Sequence, residues 1–140
     1  MSWQQLVDPV LDASMKGFPQ QSKPLPRSAI GSQGWNVLRG DLPLPLAIVR
    51  RRALAGNLKW MQDFANAHGV GLAPHGKTTM SPQLFRRQLD AGAYGLTFAS
   101  VTQLHAGIAA GARRFIIANQ VFRAVDLQSL ESLKRADPDL

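Results

Sequence analysis

Short apolar runs alternate with amphipathic segments along most of the chain. Four runs recur, at residues 46–49 (LAIV), 70–73 (VGLA), 96–99 (LTFA) and 115–118 (FIIA). Each run has about the length of a buried strand, and a segment with helical spacing separates it from the next. After the first run, one helical stripe is formed by Leu54, Leu58, Met61 and Ala65. The pattern predicts strands that alternate with helices.

The predicted helices carry capping signals at their starts. Ser81 and Pro82 open the second helix as an N-cap and a first-turn proline. Ser100 and Gln103 form a capping-box pattern at the start of the third. The predicted inward positions are Leu84, Phe85 and Leu89 in the second helix, Val101, Leu104 and Ile108 in the third, and Leu127, Leu130 and Leu133 in the last.

Glycine marks the return from three helices towards the next strand. Gly69, Gly92 and Gly111 stand where a left-handed C-cap residue is favoured, and the last two lie in a repeated Ala-Gly-Ala phrase. The strand–helix unit repeats about every 20 to 24 residues, which implies a parallel sheet built from right-handed crossovers. We expect an α/β fold and a partial (β/α) TIM-type barrel, since a complete barrel needs eight strands and about 250 residues.

Residues 1–43 differ in character from residues 44–140. Prolines and glycines interrupt the first stretch and few of its apolar positions are periodic. We therefore expect an irregular N-terminal arm, with one short helix near residues 3–15. The chain ends after a predicted helix, which would leave a strand edge exposed. We expect residues 44–140 to be the N-terminal part of a longer barrel.

Composition excludes several classes of protein. The chain has 140 residues, of which 45% are apolar and 18% charged, values that are ordinary for a globular domain. It has no cysteine, which excludes a disulfide frame, a thiolate metal site and a cysteine nucleophile. The N-terminus lacks a signal-peptide pattern, and no apolar run approaches the roughly 20 residues of a membrane span. We expect a soluble, cytoplasmic protein with no membrane partner.

The net charge of +7 raises the question of nucleic-acid binding. The arginines stand in small groups at predicted element edges, at residues 50–52, 86–87 and 113–114. Aromatic side chains do not alternate with them, as a base-stacking platform would require. The distribution therefore favours a solvated basic surface, and no nucleic-acid partner is predicted.

Lys77 gives the strongest chemical signal. It lies in the segment APHGKTT, residues 73–79, just after the second apolar run. Since α/β folds place reactive groups at the carboxyl ends of parallel strands, this amine is placed to act as a nucleophile or base. Pro74 would end the strand ladder, and Gly76 would let the backbone approach a ligand closely. On spacing alone, a solvent-facing loop lysine is the simpler interpretation.

Other polar residues near this edge are weaker candidates. His75 is either an orienting group beside a cofactor ring or an ordinary loop histidine. Asn119 and Gln120 follow the fourth apolar run, where they could contact cofactor or substrate or simply terminate a strand. His68 is expected to cap a helix C-terminus, and His105 to be partly buried structure. No two histidines have metal-ligand spacing, so no metal site is predicted.

The phrase Pro-His-Gly-Lys-Thr, residues 74–78, carries a specific family resemblance. From about Leu44 to Phe122 the chain resembles the N-terminal part of fold-type III pyridoxal-phosphate enzymes, the alanine-racemase-like barrel group. Within that group it is most similar to the branch of D-serine dehydratases, D-threonine aldolases and related amino acid deaminases. That branch has a Pro-His-x-Lys-Thr phrase, and the stretch DAGAYG, residues 90–95, adds to the resemblance.

The resemblance implies a pyridoxal 5'-phosphate cofactor bound to Lys77 as an internal aldimine. We accordingly assign His75 and Asn119 as candidate cofactor contacts. The resemblance also implies that residues 46–49 are a lead-in strand and residues 70–73 the first barrel strand. Enzymes of this kind act on small amino acids and usually pair as homodimers. Divalent metal ligands known in the branch lie in the C-terminal domain, outside this chain.

One departure from the branch bears on the reaction. Its dehydratases and aldolases often continue the phrase with Thr-His-Lys, whereas residues 78–80 here are Thr-Thr-Met. Deaminase-like relatives match better, so the resemblance implies a lyase, a D-amino acid deaminase or dehydratase with a D-serine-like substrate. We expect it to be active when full length and inactive as this segment alone. A D-threonine-aldolase-like C–C lyase and a non-catalytic cofactor-binding barrel protein are the alternatives.

Overall fold

The computed structural model describes residues 3–140, which divide into two compact units. The first unit ends at Arg50 and the second is Arg51–Leu140. The division of the sequence into an arm and a barrel segment at residue 44 stays a prediction.

The first unit contains short elements joined by turns. Helix α1 (Trp3–Val7) is followed by strand β1 (Val10–Leu11), which pairs antiparallel with β2 (Leu25–Pro26). Two 3₁₀ helices follow, Arg27–Gln33 and Val37–Arg39. Helix α1 is shorter than the helix expected near residues 3–15. It ends two residues before Pro9, which has no backbone N–H to continue a helix.

Two sets of contacts hold the first unit together. The Phe18 side chain is buried, and its ring lies 5.6 Å from that of Trp35 in an edge-on arrangement. The Asp8 carboxylate accepts hydrogen bonds from the backbone N–H and the hydroxyl of Ser28, at 2.6 and 2.9 Å. Those two bonds, the backbone one first, lower the pKa of Asp8 from its usual value.

The second unit contains four longer helices and a parallel pair of strands. Its helices are α2 (Arg51–Ala67), α3 (Pro82–Asp90), α4 (Val101–Ala109) and α5 (Ala124–Ala136). Strand β3 (Leu96–Phe98) pairs in parallel with β4 (Phe115–Ile117). Because each strand is followed by a helix, the unit has the α/β alternation that the sequence pattern predicts.

The ends of the helices follow the predicted chemistry in most places. Ser81 caps α3 by accepting a 3.4 Å hydrogen bond from the Leu84 N–H, and Pro82 occupies the first turn. At α4 the predicted capping box does not form, because the Ser100 side chain makes no capping bond. Gln103 instead accepts from the Ala99 N–H at 2.9 Å, one residue before the N-cap.

The three glycines predicted to end helices adopt the left-handed conformation. Their φ angles are +63° at Gly69, +107° at Gly92 and +92° at Gly111. A residue with a Cβ would be disfavoured in this region, which is why glycine is used where a helix turns back towards the sheet.

The structure corrects two predicted strands. Residues 46–49 form no strand in the described part of the chain, and Ile48 and Val49 are 64% and 65% exposed. An apolar run needs a neighbouring strand to pair with, and its composition alone does not provide one. Residues 70–73 are also not a strand, and the pairing with β3 is displaced towards residues 72–76.

This displaced segment is extended and parallel to β3. Its one bridge pairs His75 with Thr97. The carbonyl of Pro74 accepts from the Thr97 N–H at 2.8 Å, and the Gly76 N–H donates to the Thr97 carbonyl at 2.8 Å. Pro74 has no N–H to donate, so the ladder stays too sparse to form a regular strand.

The core of the second unit lies between the strands and helices α3 and α4. Phe85, Leu96, Phe98, Val101 and Leu104 are buried there. The Phe98 ring lies 5.4 Å from that of Phe85, edge-on, and 6.1 Å from that of Phe115. Aromatic rings at these distances stabilise the core beyond their buried area.

The sheet of the second unit consists of few strands. The extended segment, β3 and β4 form three parallel neighbours with helices packed against them. A partial (β/α) barrel remains a prediction at this number of strands. Within the described residues, no helix is long and apolar enough to cross a bilayer.

Candidate functional site

The three parallel segments end at one edge of the sheet. The register pairs His75 with Thr97 and Thr97 with Ile116, so Lys77, Ala99 and Ala118 lie at the same level, two residues further on. Adjacent strands are about 4.8 Å apart, so the two outer segments lie roughly 10 Å from each other where they are paired. Asn119 immediately follows Ala118, so the structure brings Lys77 and Asn119 to the same edge.

Lys77 lies on an exposed turn, residues 77–79, beyond the end of the extended segment. The turn is closed by the Met80 N–H, which donates to the Gly76 carbonyl at 2.9 Å. Among residues 3–140, no hydrogen bond or ion pair involves the Lys77 amine. The amine is therefore accessible and available to a ligand at this edge.

His75 lies on the same segment, two residues before Lys77. Its backbone forms the bridge to Thr97, and its side chain is exposed. Neighbouring side chains of an extended chain point to opposite faces. Because Gly76 faces the helices, His75 faces away from them.

Gly76 has a different role from the predicted one. A Cβ at this position would lie 2.5 Å from Cε1 of Phe98 and 2.9 Å from Cε1 of Phe85. The residue is buried, and the close approach that needs glycine is to these two rings. The prediction gave the wrong reason for a glycine at position 76. The space where a Cβ would stand is filled by rings of the core and not by a ligand.

The side-chain amide of Asn119 hydrogen-bonds to backbone atoms at the carboxyl edge of the sheet. Its side-chain nitrogen donates to the Ala99 carbonyl at 3.4 Å, and its oxygen accepts from the Gln120 N–H at 2.9 Å. The bond to Ala99 connects the end of β4 to the end of β3. Both predicted alternatives, strand termination and ligand contact, stay open because Asn119 is exposed and its bond to Ala99 is long.

The other two histidines lie away from this edge. His68 follows the end of α2, and its ring is 4.3 Å from that of Phe64. His105 is exposed on α4, so the expectation that it is partly buried is wrong. Its position in the helix does not face the core formed by Val101 and Leu104. The described residues contain no group of three or more His, Cys, Asp or Glu side chains that could hold a metal ion.

A cleft of about 310 Å³ lies elsewhere in the second unit. Its walls come from α2, α3 and the extended segment, and include Leu58, Leu72 and Ala93. The cleft contains none of Lys77, His75 or Asn119. We place the candidate site at the carboxyl edge, because reactive groups in parallel α/β folds are found there.

Sequence reasoning missed one feature of the site. Met80 has a φ of +42°, in the left-handed region, and is the one non-glycine residue with positive φ among residues 3–140. Left-handed methionine is uncommon, since its Cβ crowds the backbone. Nothing in the apolar pattern or in local propensity signals it.

Comparison with known proteins finds similarity to part of one curated enzyme. No protein-family model matches the chain. It is 33% identical over 91 residues to a D-threonine aldolase from Arthrobacter sp, a match that covers 65% of this chain and 24% of that protein.

Two solved structures have a similar fold. The crystal structure of D-threonine aldolase from Filomicrobium marinum matches with a TM-score of 0.64 and 30% identity, over 68% of this chain and 26% of that one. A mutant of D-threo-3-hydroxyaspartate dehydratase matches with a TM-score of 0.62 and 29% identity, over 69% and 24%.

These homologues are fold-type III pyridoxal-phosphate enzymes, so the family resemblance read from the sequence is confirmed. The chain spans about a quarter of the length of the relatives it matches.

Proposed function

We propose that this chain supplies the lysine-bearing part of a pyridoxal-phosphate-dependent lyase that acts on D-amino acids. Lys77 would bind the cofactor covalently, and His75 and Asn119 would contact it. The homologues support the cofactor and the substrate class. Within this chain, the proposal rests on the residues at the carboxyl edge of the sheet.

One observation carries the proposal. The amine of Lys77 is exposed and unpaired within the described residues, and it stands where three parallel segments end. Among residues 3–140 the amines of Lys16 and Lys23 also make no hydrogen bond or ion pair, so what distinguishes Lys77 is its place at the carboxyl edge. An amine that is left accessible at this edge fits covalent attachment of an aldehyde cofactor.

The residues of the edge would share the chemistry as follows. Pyridoxal phosphate supplies an electron sink for negative charge that develops at the substrate Cα. Lys77 would hold the aldehyde cofactor through its amine. When it is not attached to the cofactor, the same amine would be placed to accept the proton from the substrate Cα. His75 faces away from the helices, where it can orient the bound ring.

The names of the relatives narrow the substrate class. Threonine and 3-hydroxyaspartate both carry a hydroxyl group on Cβ, and both relatives are named for D-configured substrates. We propose a D-amino acid with a β-hydroxyl group, such as a D-serine-like molecule. The deaminase or dehydratase reaction removes the Cα proton and the Cβ hydroxyl as water. Hydrolysis of the resulting enamine then gives ammonia and a 2-oxo acid.

An aldolase is the second candidate reaction. It would cleave the Cα–Cβ bond of the same substrates and give glycine and an aldehyde. The similarity to D-threonine aldolases favours it. Thr79 speaks against both the aldolases and the dehydratases of the branch, which often have histidine there, and favours a deaminase-like lyase. A cofactor-binding protein without turnover is the third candidate.

The remaining parts of the proposal concern the whole enzyme. We propose a completed (β/α) barrel, a homodimer and a cytoplasmic location for it. Because the matched part of this chain covers only 24% of the aldolase relative, we expect turnover only when the further strands are present, and cofactor binding at most from residues 1–140 alone. Any divalent metal site would use ligands outside this chain.

A titration with pyridoxal phosphate tests the proposal. Wild-type protein should acquire the visible absorbance of a lysine-bound cofactor, Lys77→Ala should not, and Lys23→Ala should match wild type as a control for surface amines. Full-length protein should then be given D-serine and D-threonine. Ammonia with a 2-oxo acid would support the dehydratase, and glycine with an aldehyde the aldolase. A wild-type spectrum in Lys77→Ala would contradict the site assignment.

A further inference from the structure

The turn that carries Lys77 is held to the core by Gly76, the residue just before it. The Gly76 N–H donates to the Thr97 carbonyl at 2.8 Å, and the rings of Phe85 and Phe98 occupy the space where a side chain would stand. The backbone just before Lys77 therefore has little freedom to shift, either along the sheet or towards the helices.

The same turn is held at its other end by Met80, the residue just after it. Its N–H donates to the Gly76 carbonyl at 2.9 Å, and its backbone is left-handed with φ +42°. A non-glycine residue stays in this region only where the surrounding structure holds it there. Ser81 follows directly and caps α3 through the Leu84 N–H, so the start of the helix sets the position of Met80.

These constraints form a closed loop. The chain leaves the core at Gly76, passes through Lys77 and Met80, and enters α3, whose Phe85 returns to pack against Gly76. Lys77 is thus held from both sides, although its own side chain is exposed. A reacting group must be held within a fraction of an ångström to be effective, and a closed loop of this kind provides that restraint.

We propose that Met80 is a positioning residue for Lys77. Its left-handed backbone closes the turn and sets the direction in which the Lys77 side chain leaves the edge of the sheet. This inference rests on the proposed attachment of the cofactor to Lys77, and it assigns to Met80 no contact with cofactor or substrate.

Two substitutions at the same position separate backbone conformation from side-chain identity. Asparagine tolerates the left-handed region, whereas valine, being β-branched, strongly disfavours it. Each protein is treated with pyridoxal phosphate and borohydride, and the rate of modification at Lys77 is measured by mass spectrometry, with Lys23 as the internal reference. We expect Met80→Asn to retain the wild-type ratio of the Lys77 rate to the Lys23 rate. Met80→Val should lower this ratio about tenfold, which corresponds to the usual cost of holding a non-glycine residue in the left-handed region.

The outcomes distinguish this inference from the proposed function. If Lys77 reacts preferentially in wild type and equally so in both variants, the positioning role is overturned and the cofactor lysine stands. If Lys77 reacts no faster than Lys23 in wild type, the proposed function fails and the positioning role fails with it.

Amide hydrogen exchange provides a readout that does not depend on the variants folding. In wild type the Met80 N–H should be protected, because it is bonded to the Gly76 carbonyl. Met80→Asn should keep this protection at residue 80. Exchange of the wild-type Met80 N–H at the rate of an unstructured peptide would overturn the inference, even if Met80→Val does not fold.

Discussion

The substitution Gly76→Ala tests directly whether the segment before Lys77 is packed against the core. The added Cβ would stand 2.5 Å from Cε1 and 2.9 Å from Cζ of Phe98, and 2.9 Å from Cε1 of Phe85. All three atoms belong to rings that are fully buried, so they cannot turn aside into solvent. Overpacking of this kind typically costs about 1–3 kcal/mol, and we expect a loss of about 2 kcal/mol in the free energy of unfolding.

The assay is urea denaturation followed by far-UV circular dichroism, with a matched control. Gly56→Ala adds the same methyl group inside α2, where no atom lies within 4 Å, and should stabilise the protein by roughly 0.5–1 kcal/mol. The two substitutions are therefore expected to differ in sign, although their chemistry is the same.

A double substitution shows whether Phe98 causes the effect. Leucine at position 98 has no atoms equivalent to Cε1 and Cζ, so Gly76→Ala should cost about 1 kcal/mol less in a Phe98→Leu background than in wild type. Unchanged or increased stability of Gly76→Ala in the wild-type background would refute the packing around Lys77 described above.

Three further predictions concern other contacts. Gly107→Ala puts a Cβ 2.7 Å from the rings of Phe115 and Phe98. It should lower the free energy of unfolding by about 1–3 kcal/mol in urea denaturation, whereas the same substitution inside a helix usually raises it. In the same assay Ser81→Ala should cost about 1 kcal/mol by loss of the α3 cap, and Ser81→Asp should not; equal losses would contradict the cap. The pKa of Asp8 is lowered below 3.8 by bonds from Ser28, so the stability they give is present above that value and lost as pH falls below it. Melting temperatures of wild type and Asp8→Asn should converge in strong acid, and a constant difference would contradict the contact.

Helices and their ends are the part of the fold that the sequence predicts well. Their signals are local: the stripe of Leu54 and Leu58 repeats within a few residues, and Gly92 and Gly111 are needed where the chain reverses. Ser100 shows the limit of such a signal. A capping box specifies two bonds, and neither forms as specified: the Ser100 side chain makes no capping bond, and Gln103 accepts from Ala99, one residue before the N-cap.

Strands are predicted less well, because pairing is not a local property. The runs at 46–49 and 70–73 have similar apolar character to β3 and β4, but only the latter two pair regularly. The sequence does not state which run will find a neighbour or in which register. Pro74 does indicate where the ladder is interrupted, since its nitrogen carries no hydrogen.

The candidate site shows the same division. Lys77 could be selected from its phrase and its place after an apolar run, and it remains a prediction as the cofactor lysine. The reason for Gly76 could not be predicted, because Phe85 and Phe98 are distant in sequence and meet it only after folding. The conformation of Met80 had no sequence signal at all.

Phe98 links the core to the candidate site. One end of its ring lies between Gly76 on the extended segment and Gly107 on α4, with ring atoms 2.5 and 2.7 Å from the positions of their missing Cβ atoms. Two glycines thus let a strand and a helix approach the same aromatic ring. The extended segment that leads to Lys77 packs against this ring. The core therefore determines where the Lys77 amine lies.

The most direct test of the central claim locates the cofactor on the chain. Protein is incubated with pyridoxal phosphate, reduced with borohydride and digested, and the modified lysine is identified by mass spectrometry. We predict that at limiting cofactor the pyridoxyl group is found on Lys77, ahead of Lys16, Lys23, Lys59 and Lys134. Modification distributed over these lysines without preference for Lys77 would contradict it.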